Sequence, residues 1–340
     1  MEKGKHEAMF WVKERGKIRC QMCVKGCLIQ EGNVGFCLVR RNISGKLYSM
    51  NYGKTAAINL DNIERKPLFH FFPGSTTLSV SCSGPVITSQ FSEIWQISHD
   101  KLPIVSQKEL SPEDIVDLTE KRNCRAITFT YIEPAINTEF IYRTFKLAHR
   151  SSIKTTVVTN GYFAEEPMKK ISKYLDAVTF NVRASGDIEY LKKFTILQDF
   201  QHVYDILKLL KKHRAHIEVT DLIVPQIGDN LELCRKLAEW INNELGGDIP
   251  FHLLQFQPDP NLTELPQTPV STLERCADEA QKAGLRYVYI SNVPQYQGEN
   301  TYCYNCRELL IKRVASTVKE INLVKDRCRN CGVRINLIVS

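Results

Sequence analysis

Cysteine is the residue type in this chain whose number and spacing point most directly to chemistry. The 340 residues include 12 cysteines. Eight of them form two groups of four, the N-terminal quartet (Cys20, Cys23, Cys27, Cys37) and the C-terminal quartet (Cys303, Cys306, Cys328, Cys331). The other four, Cys82, Cys124, Cys234 and Cys276, are scattered singly and are expected to be ordinary buried thiols. The charged opening MEKGKHEAMFWVKERGK does not have the apolar stretch of a secretion signal, so the quartets indicate metal sites rather than disulfides.

The C-terminal quartet consists of two C-x₂-C pairs separated by 21 residues, with Gly332 after the last cysteine. A two-residue gap lets both sulfurs face one tetrahedral ion, and a glycine suits the tight turn around it. The spacer contains ELLIKRV and VKEINLV, which predict a small antiparallel pair of strands. We therefore predict a zinc-ribbon-like module, and its small core implies that the metal would supply much of its stability.

The N-terminal quartet lies in RCQMCVKGCLIQEGNVGFC and has the spacing C-x₂-C-x₃-C-x₉-C. We expect zinc here, with an iron–sulfur cluster or no metal as the alternatives. Thiolates bind zinc and iron–sulfur clusters alike, so the spacing does not decide between them. The two quartets could also exchange ligands, because order along the chain does not determine which sulfurs meet in space.

Size and charge describe a large domain with basic appendages. A chain of 340 residues exceeds the usual length of one compact domain. The net charge of +7 is uneven: residues 1–70 carry +7, residues 301–340 carry +5, and the part between them carries −5. Basic ends suit a nucleic-acid partner, but they also offset the negative charge of metal–thiolate sites, which we favour. No run approaches the ~20 apolar residues of a membrane span, so we expect a soluble, cytoplasmic protein.

Short β-branched runs alternate with amphipathic helical segments between about residues 78 and 292. The predicted strands are TLSVS, AITFTY, KTTVVT, AVTFNV, HIEVTDLIV, FHLLQF and RYVYIS. Repeated βα units predict an α/β fold with a parallel sheet curled into a full or partial (βα)6-type barrel, and ligands are expected at the carboxyl ends of the strands. A doubly wound sheet is the alternative. We predict three parts: a four-cysteine metal module over residues 1–70, the barrel over 71–293, and the zinc-ribbon-like module over 294–340.

An ordered series of motifs extends over nearly the whole chain. It comprises the N-terminal quartet with GFC, then GKLYSMNYGK, KPLFHFFPGS, WQIS, FTYIEP, VVTNGYF, YLDAV, IVP, FQPD, GLRYVYISNVP and GENTYCYNC. This series resembles the radical S-adenosylmethionine (radical SAM) enzymes related to pyruvate formate-lyase activating enzyme, in the AmmeMemoRadiSam-system branch. The resemblance implies the radical SAM barrel.

The same resemblance implies a cluster loop that this chain does not preserve. In the family, a C-x₃-C-x₂-C loop before W-E-I-S holds a [4Fe–4S] cluster, to which S-adenosylmethionine binds. Counted back from Trp95, the three positions are Pro85, Ser89 and Ser92. Proline has no side-chain ligand, and a serine alkoxide needs a far larger pKa depression than a thiolate. We therefore expect no [4Fe–4S] cluster at this position, and Cys82 precedes the loop.

Some of the family's S-adenosylmethionine-binding motifs have counterparts in this chain. The family's Y-N-E-P and T-N-G motifs correspond to Glu133 within TYIEP and to Thr159, Asn160 and Gly161. The resemblance implies a residual adenosyl pocket at these residues. The alternative is that they are polar caps of strand ends, hydrogen-bonded to the backbone.

Other family site residues are replaced. Asn181 and Arg183 stand in place of the Asp and Lys of D-L-K, and Gln255 and Gln257 stand where an Arg and a His are common. Scaffold motifs persist while ligands are lost, so we favour a pseudoenzyme that acts as a metal-binding scaffold or assembly subunit with a protein partner. One alternative is an enzyme or sensor that binds S-adenosylmethionine or a nucleotide without radical chemistry. The other is an active activase-like enzyme whose cluster is held by the N-terminal quartet or a partner.

Overall fold

The computed structural model describes residues 5–84, 108–258, 265–294 and 296–339. Its strands are β1 His6–Glu7, β2 Trp11–Glu14, β3 Lys17–Cys20, β4 Leu28–Ile29, β5 Arg40–Ile43, β6 Lys46–Ser49, β7 Lys54–Asn62, β8 Thr76–Cys82, β9 Lys108–Glu109, β10 Ala126–Phe129, β11 Lys154–Thr159, β12 Ala177–Arg183, β13 His216–Ile223, β14 Phe251–Gln255, β15 Val288–Ser291, β16 Thr301–Tyr302, β17 Leu309–Val314, β18 Thr317–Ile321, β19 Leu323–Val324 and β20 Arg327–Cys328.

The α-helices in the described ranges are α1 Pro112–Lys121, α2 Thr138–Ala148, α3 Glu165–Ser172, α4 Ile188–Phe194, α5 Gln201–Lys212, α6 Leu231–Trp240 and α7 Val270–Lys282. Single 3-10 turns occupy Ile63–Arg65, Pro134–Asn137, His149–Ser151, Ala184–Gly186 and Gln297–Glu299, and a π-helical turn follows α6 at Ile241–Leu245. Within these ranges, none of the helices has both the length and the apolar character that a bilayer span requires.

The chain divides into two compact units. Unit 1 comprises Met1–Asp61, Thr76–Asp176 and Leu191–Ala215, and unit 2 comprises Asn62–Ser75, Ala177–Tyr190 and His216–Ser340. This division follows spatial proximity and cuts across the three parts predicted from the sequence. The boundaries at residues 70 and 293 therefore stay a prediction.

Each unit contains a run of parallel strands. In unit 1 the strand order is β11-β10-β8-β7-β9, with β8, β10 and β11 parallel and β7 antiparallel to β9. In unit 2 the order is β15-β14-β13-β12, and every neighbouring pair is parallel. All seven predicted strand segments fall on these strands. Their ends differ by a few residues, because hydrogen bonding rather than residue type decides where a strand stops.

Helices connect the parallel strands and bury the faces that the sequence predicts. Ile141, Phe145 and Ala148 of α2 are fully buried, as the 3.6-residue spacing of apolar positions requires. On α5 the predicted stripe of Val203, Ile206, Leu207 and Leu210 is buried in the same way. These side chains form core, and no cofactor role is needed to explain them.

Small antiparallel sheets carry the two quartets. In unit 1 the first strands form the sheets β1-β6-β5 and β2-β3-β4, and the second of these brings the chain to Cys20. In unit 2 the predicted hairpin is confirmed as β17 and β18, which pair antiparallel in the sheet β16-β17-β18. A second short pair, β19 and β20, leads into Cys328.

One buried carboxylate organises the inner part of unit 2. Glu218 of β13 accepts hydrogen bonds from the backbone N–H groups of Phe69 and His70 at 2.9 and 2.7 Å. His216 Nε2 and His252 Nε2 lie 3.0 and 2.8 Å from the same carboxylate. Burial alone would raise the pKa of Glu218, but the hydrogen bonds from the two histidines outweigh it and hold that pKa well below its usual range. Glu218 thus ties the loop of the KPLFHFFPG motif to β13 and β14.

We expect Glu218→Gln to lower the free energy of unfolding by about 3 kcal/mol, since it removes the charge while leaving several buried donors facing the site. Chemical denaturation measures this loss. Glu232→Gln is the matched control, because Glu232 is an exposed residue of α6 that pairs with Lys236. The free energy of unfolding of this control variant should equal that of the wild type within error.

The depressed pKa of Glu218 adds a second readout. The contribution of Glu218 to stability is present at neutral pH and is lost as the pH falls below about 4.5, and Glu218→Gln should flatten this dependence. Equal losses in the two variants would contradict this role for Glu218.

Candidate functional site

The four sulfurs of the C-terminal quartet converge on one point. Cys303 Sγ lies 3.6 Å from Cys331 Sγ, and Cys306 Sγ lies 3.6 Å from Cys328 Sγ. All four sulfurs lie within 4.8 Å of one another. Four thiolates at the usual Zn–S length of ~2.3 Å around a tetrahedral ion would be spaced by about 3.8 Å. The quartet therefore already has the spacing of a single metal ion.

Two tight turns produce this convergence. In the first, the N–H of Arg307 donates to the carbonyl of Cys303 at 2.9 Å. In the second, the N–H of Gly332 donates to the carbonyl of Cys328, also at 2.9 Å. Gly332 has φ of +72°, a left-handed conformation that glycine adopts without strain, which explains the C-x₂-C-G pattern.

The electrostatics of this quartet favour a bound cation. Hydrogen bonds from the Asn305 side chain and the N–H of Val333 lower the pKa of Cys331, so this thiol loses its proton readily. Burial raises the pKa of Cys303, which would keep an uncompensated thiolate protonated. A divalent ion would supply the positive charge that compensates such a thiolate. The arrangement thus fits a metal-dependent fold better than four free thiols.

The N-terminal quartet is gathered at one cavity, but it is not equally convergent. Cys20, Cys23, Cys27 and Cys37 all line a single small cavity in unit 1. Within the described part of the chain, the C-terminal quartet is the group whose sulfurs have closed to metal-binding distance. Burial raises the pKa of Cys20 to about 11 and that of Cys23 to about 12. The structure thus brings the four predicted ligands together without deciding which metal they hold.

The scattered cysteines are buried in the packed interior of each unit, as predicted. Cys82 and Cys124 in unit 1 and Cys234 and Cys276 in unit 2 are all less than one-tenth exposed. Cys234 and Cys276 face one another between α6 and α7, with Cys234 Sγ 3.8 Å from the carbonyl oxygen of Cys276. These thiols act as small apolar side chains.

The predicted cluster positions Pro85, Ser89 and Ser92 lie outside the described residues. What the structure does place is Cys82, the last residue of β8, which is 3% exposed. Burial raises the pKa of Cys82 far above its ordinary value, so it is a poor source of thiolate. The sequence contains no further cysteine until Cys124. The sequence thus has no thiol at the three expected ligand positions, and the expected absence of a [4Fe–4S] cluster there stays a prediction.

Glu133, Thr159, Asn160 and Gly161 meet at the carboxyl ends of neighbouring strands in unit 1. The Thr159 hydroxyl donates to Glu133 Oε1 at 2.6 Å. The backbone N–H and the side-chain amide of Asn160 donate to Glu133 Oε2 at 2.8 and 3.2 Å. The N–H of Gly161 donates to Thr159 Oγ1 at 3.0 Å, and Gly161 has φ of +76°. We call these four residues the strand-end site.

The strand-end site is largely satisfied by its own members. Glu133 is 3% exposed, and burial raises its pKa despite hydrogen bonds from Thr159 and Asn160. His202 Nε2 lies 3.1 and 2.9 Å from the carbonyl oxygens of Gly161 and Phe163, which fixes the turn from the other side. Asn160 Oδ1 is buried and has no hydrogen-bond donor within the described residues. The arrangement resembles a capped strand end that keeps one unused acceptor.

The residues Asn181, Gln255 and Gln257, which stand at replaced family positions, form hydrogen bonds within unit 2. Asn181 Oδ1 accepts a hydrogen bond from the Thr220 hydroxyl at 2.8 Å. Gln255 Nε2 donates to the carbonyl oxygen of Thr268 at 2.7 Å, and Gln257 Nε2 donates to Gln255 Oε1 at 2.8 Å. These bonds occupy side-chain groups that would otherwise be available to a ligand.

Sequence reasoning missed a buried carboxylate beside these residues. Asp221 is fully buried on β13, and its oxygens accept from the N–H and the hydroxyl of Ser185 at 2.9 and 2.7 Å. Burial raises the pKa of Asp221 to about 6, against the lowering effect of the Ser185 hydrogen bonds. The acidic residue inside HIEVTDLIV, an otherwise apolar strand, is the signal that could have revealed it.

The following similarities to known proteins are found. A model of the radical SAM superfamily matches residues 90–241. The chain is 39% identical over 336 residues to MJ0808 of Methanocaldococcus jannaschii, an uncharacterized protein, over 98% of this chain and 99% of that one. It is 24% identical over 156 residues to the (2S)-3-sulfopropanediol dehydratase activating enzyme of Klebsiella oxytoca, over 44% of this chain and 49% of that enzyme. A solved domain of pyruvate-formate lyase-activating enzyme from Bacteroides vulgatus aligns with 49% of this chain and 99% of that domain, at 14% identity and a TM-score of 0.43.

Residues 90–241 place the chain in the radical SAM superfamily, and the chain is related to the activating enzymes of that superfamily. The predicted α/β class with parallel strands and the predicted superfamily are thereby confirmed. The narrower placement in the AmmeMemoRadiSam-system branch stays a prediction.

We expect Thr159→Val to lower the free energy of unfolding by about 2 kcal/mol. The valine has nearly the same shape but leaves the buried Gly161 N–H without its acceptor and Glu133 Oε1 without its donor. Thr272→Val on α7 is the control, because this threonine is half-buried and should tolerate the change. Denaturant titration that finds both variants equal to wild type would show that the strand-end site is not held together by these bonds.

The effect of Asp221→Asn on the free energy of unfolding should depend on pH. The pKa of Asp221 is raised from 3.8 to about 6 in the folded protein, so ionisation of this group opposes folding as the pH rises through that window. The neutral amide avoids the cost, and we expect the variant to be more stable than wild type at pH 8 by about 2 kcal/mol and to lose this advantage near pH 4. Denaturation curves at the two pH values measure the difference. Asp205→Asn, at an exposed position of α5, should show no such crossover.

Proposed function

We propose that this protein is a non-catalytic member of the radical SAM superfamily that acts as a metal-binding scaffold or assembly subunit. The observation that carries the proposal is the missing ligand set. The family positions are occupied by Pro85, Ser89 and Ser92, and Cys82, the one nearby thiol, is buried at the end of β8. A cluster that is held by protein thiolates has no ligands there.

Retention of the scaffold supports the same conclusion. The loop of the KPLFHFFPG motif keeps its four-bonded anchor on Glu218, and the parallel strands of both units are intact. At the replaced positions, Asn181 and Gln255 bond to neighbouring residues of unit 2. Loss of the chemistry without loss of the fold indicates that the folded shape is what the protein uses.

Zinc in the C-terminal quartet belongs to this proposal. The four sulfurs already have the spacing of a tetrahedral ion, and the all-thiolate ligand set suits Zn²⁺. The hairpin of β17 and β18 is too small to fold on hydrophobic burial alone. A structural zinc ion would hold it against the rest of unit 2.

A protein partner is the natural counterpart of a scaffold. Four apolar side chains on the N-terminal four-cysteine module are at least 40% exposed: Leu28, Val34, Phe36 and Leu38. Several large apolar side chains exposed within 11 residues are unusual on a surface that faces only water. This supports an assembly role.

A second candidate function is the binding of S-adenosylmethionine or a nucleotide without radical chemistry. The observation that favours it is Asn160 Oδ1, a buried acceptor at the strand-end site with no donor among the described residues. Titration calorimetry with S-adenosylmethionine tests it, with Asn160→Asp as the paired variant. Absence of binding heat at millimolar ligand in the wild type would remove this candidate.

The proposed scaffold role predicts that anaerobic reconstitution with iron and sulfide leaves no [4Fe–4S] cluster in the loop and yields no 5′-deoxyadenosine from S-adenosylmethionine. Iron and acid-labile sulfide assays, electron paramagnetic resonance and product chromatography measure these outcomes. The matched control restores the family's ligands in the triple variant P85C/S89C/S92C, which should gain iron and sulfide if ligand loss alone explains the difference. A wild-type protein that cleaves S-adenosylmethionine with a stoichiometric cluster would overturn the proposal.

A further inference from the structure

The N-terminal quartet carries an inference beyond the scaffold role, because its surroundings in unit 1 are those of a built metal site. The four cysteines line one cavity together with apolar side chains, among them Met22 and Ile29, and with Arg40. Cys20 and Cys37 are buried, and Cys23 and Cys27 are half-buried. Four thiols around one enclosed apolar space form a ligand set that a soft metal ion matches.

A backbone N–H group already points at one sulfur of the quartet. The N–H of Phe36 donates to Cys27 Sγ at 3.4 Å. An N–H group that donates to sulfur stabilises its thiolate form, which is the form that binds a metal.

Two turns hold the loops in this arrangement. After Cys23 the chain turns at Gly26, whose N–H donates to the carbonyl of Cys23 at 3.1 Å and whose φ is +53°. Before Cys37 it turns at Gly35, where a Cβ atom would lie 3.1 Å from the Ile29 side chain and 3.6 Å from Cys27 Sγ. The glycines allow the backbone to pass close to the sulfurs.

A buried cation lies against the same cavity. Arg40 is 1% exposed, and it forms a bidentate ion pair with Glu139 of α2 at 2.6 and 2.7 Å. Its Nη2 also donates to the carbonyl of Ile136 at 2.9 Å, while its Nε–H has no acceptor in the described part of the chain. Buried donors without acceptors are rare in native proteins. A metal-bound thiolate would give this donor a partner and would place negative charge beside the guanidinium.

The cavity at the quartet is small. Its volume is about 10 Å³, which is roughly the space of one water-sized sphere. A single ion fits such a space. Of single ions that prefer four thiolates in tetrahedral geometry, Zn²⁺ is the common one.

The quartet is also joined to the strand-end site through backbone hydrogen bonds. Cys23 forms a β-bridge with Phe163. The N–H of Val24 donates to the carbonyl of Tyr162 at 2.9 Å, and the N–H of Ala164 donates to the carbonyl of Met22 at 3.1 Å. The segment at residues 22–24 thus runs along the segment at residues 162–164, directly after Gly161. Closing the quartet around an ion would restrain this turn.

We propose that Cys20, Cys23, Cys27 and Cys37 bind one zinc ion, and that this ion orders the turn that ends the strand-end site. Metal binding draws the four sulfurs to tetrahedral distances and releases the protons of those thiols that are still protonated. The Arg40–Glu139 ion pair couples the charged centre to α2. The inference is independent of the scaffold proposal, because it concerns a different set of cysteines.

The first test is metal content of the full-length protein by elemental analysis. We expect two zinc ions per chain in the wild type, one in Cys27→Ser and one in Cys331→Ser. Cys124→Ala, which changes a buried thiol outside both quartets, should keep two. Two zinc ions retained in Cys27→Ser, or iron and sulfide that disappear in this variant, would overturn the inference. Neither result concerns the loop at Pro85, Ser89 and Ser92, so failure here is distinguishable from failure of the scaffold proposal.

Two further measurements separate ligation from misfolding. Metal-free wild-type protein titrated with Co²⁺ should develop thiolate-to-cobalt absorption for two tetrahedral sites, and Cys27→Ser should show half of it. Hydrogen exchange of peptides that cover residues 159–164 should quicken in Cys27→Ser and stay at the wild-type rate in Cys331→Ser. Unchanged exchange in Cys27→Ser would refute the coupling to the turn. Faster exchange throughout Cys27→Ser would assign the effect to general unfolding and would also refute it.

Discussion

Buried carboxylates at the parallel strands must be paired, and both units of this protein depend on how that pairing is achieved. A carboxylate removed from water is costly unless hydrogen-bond donors surround it. In unit 2, the Glu218 carboxylate accepts hydrogen bonds from two backbone N–H groups and lies within hydrogen-bond distance of two imidazole nitrogens. These contacts hold the loop of the KPLFHFFPG motif against the strands. In unit 1, the Glu133 carboxylate accepts hydrogen bonds from Thr159 and Asn160. Each carboxylate satisfies a turn or loop that would otherwise leave backbone groups unpaired.

This use of carboxylates bears on the proposed loss of radical chemistry. A pocket that binds a charged ligand keeps donors and acceptors unpaired until the ligand arrives. Here Glu133 is paired within its own site, and Asn181 and Gln255 bond to neighbouring residues of unit 2. What is left at the strand-end site is one amide oxygen, on Asn160. The polar groups have become part of the interior, which suits a scaffold.

In the proposed function, metal ions stabilise the small modules in which hydrophobic burial is insufficient. The small antiparallel sheets that carry the quartets consist of strands of two to six residues, and such short elements cannot bury enough apolar surface to stay folded alone. The C-terminal quartet already has metal-binding spacing, while the N-terminal quartet surrounds a small cavity beside a buried arginine. The two sites thus differ in how far their sulfurs have converged, although each has two buried cysteines.

The residue pattern by itself determined the parallel strands, the buried faces of α2 and α5, the hairpin of β17 and β18 and the metal-binding character of the C-terminal quartet. These features are local, since they follow from alternation, helical period and a two-residue gap between cysteines. Only the tertiary structure decided that Glu218 anchors the loop at Phe69 and His70, 148 residues or more away in sequence, and that Arg40 reaches Glu139 across 99 residues. Such pairs produce no periodic pattern in the sequence, because a single charged residue is indistinguishable there from one on the protein surface. The pairing of Asp221 with Ser185 and the joining of Cys23 to Phe163 were hidden for the same reason, although the acidic residue in an apolar strand did signal that Asp221 is buried. Hydrogen bonds between distant segments depend on where the chain returns in space, which no local pattern encodes.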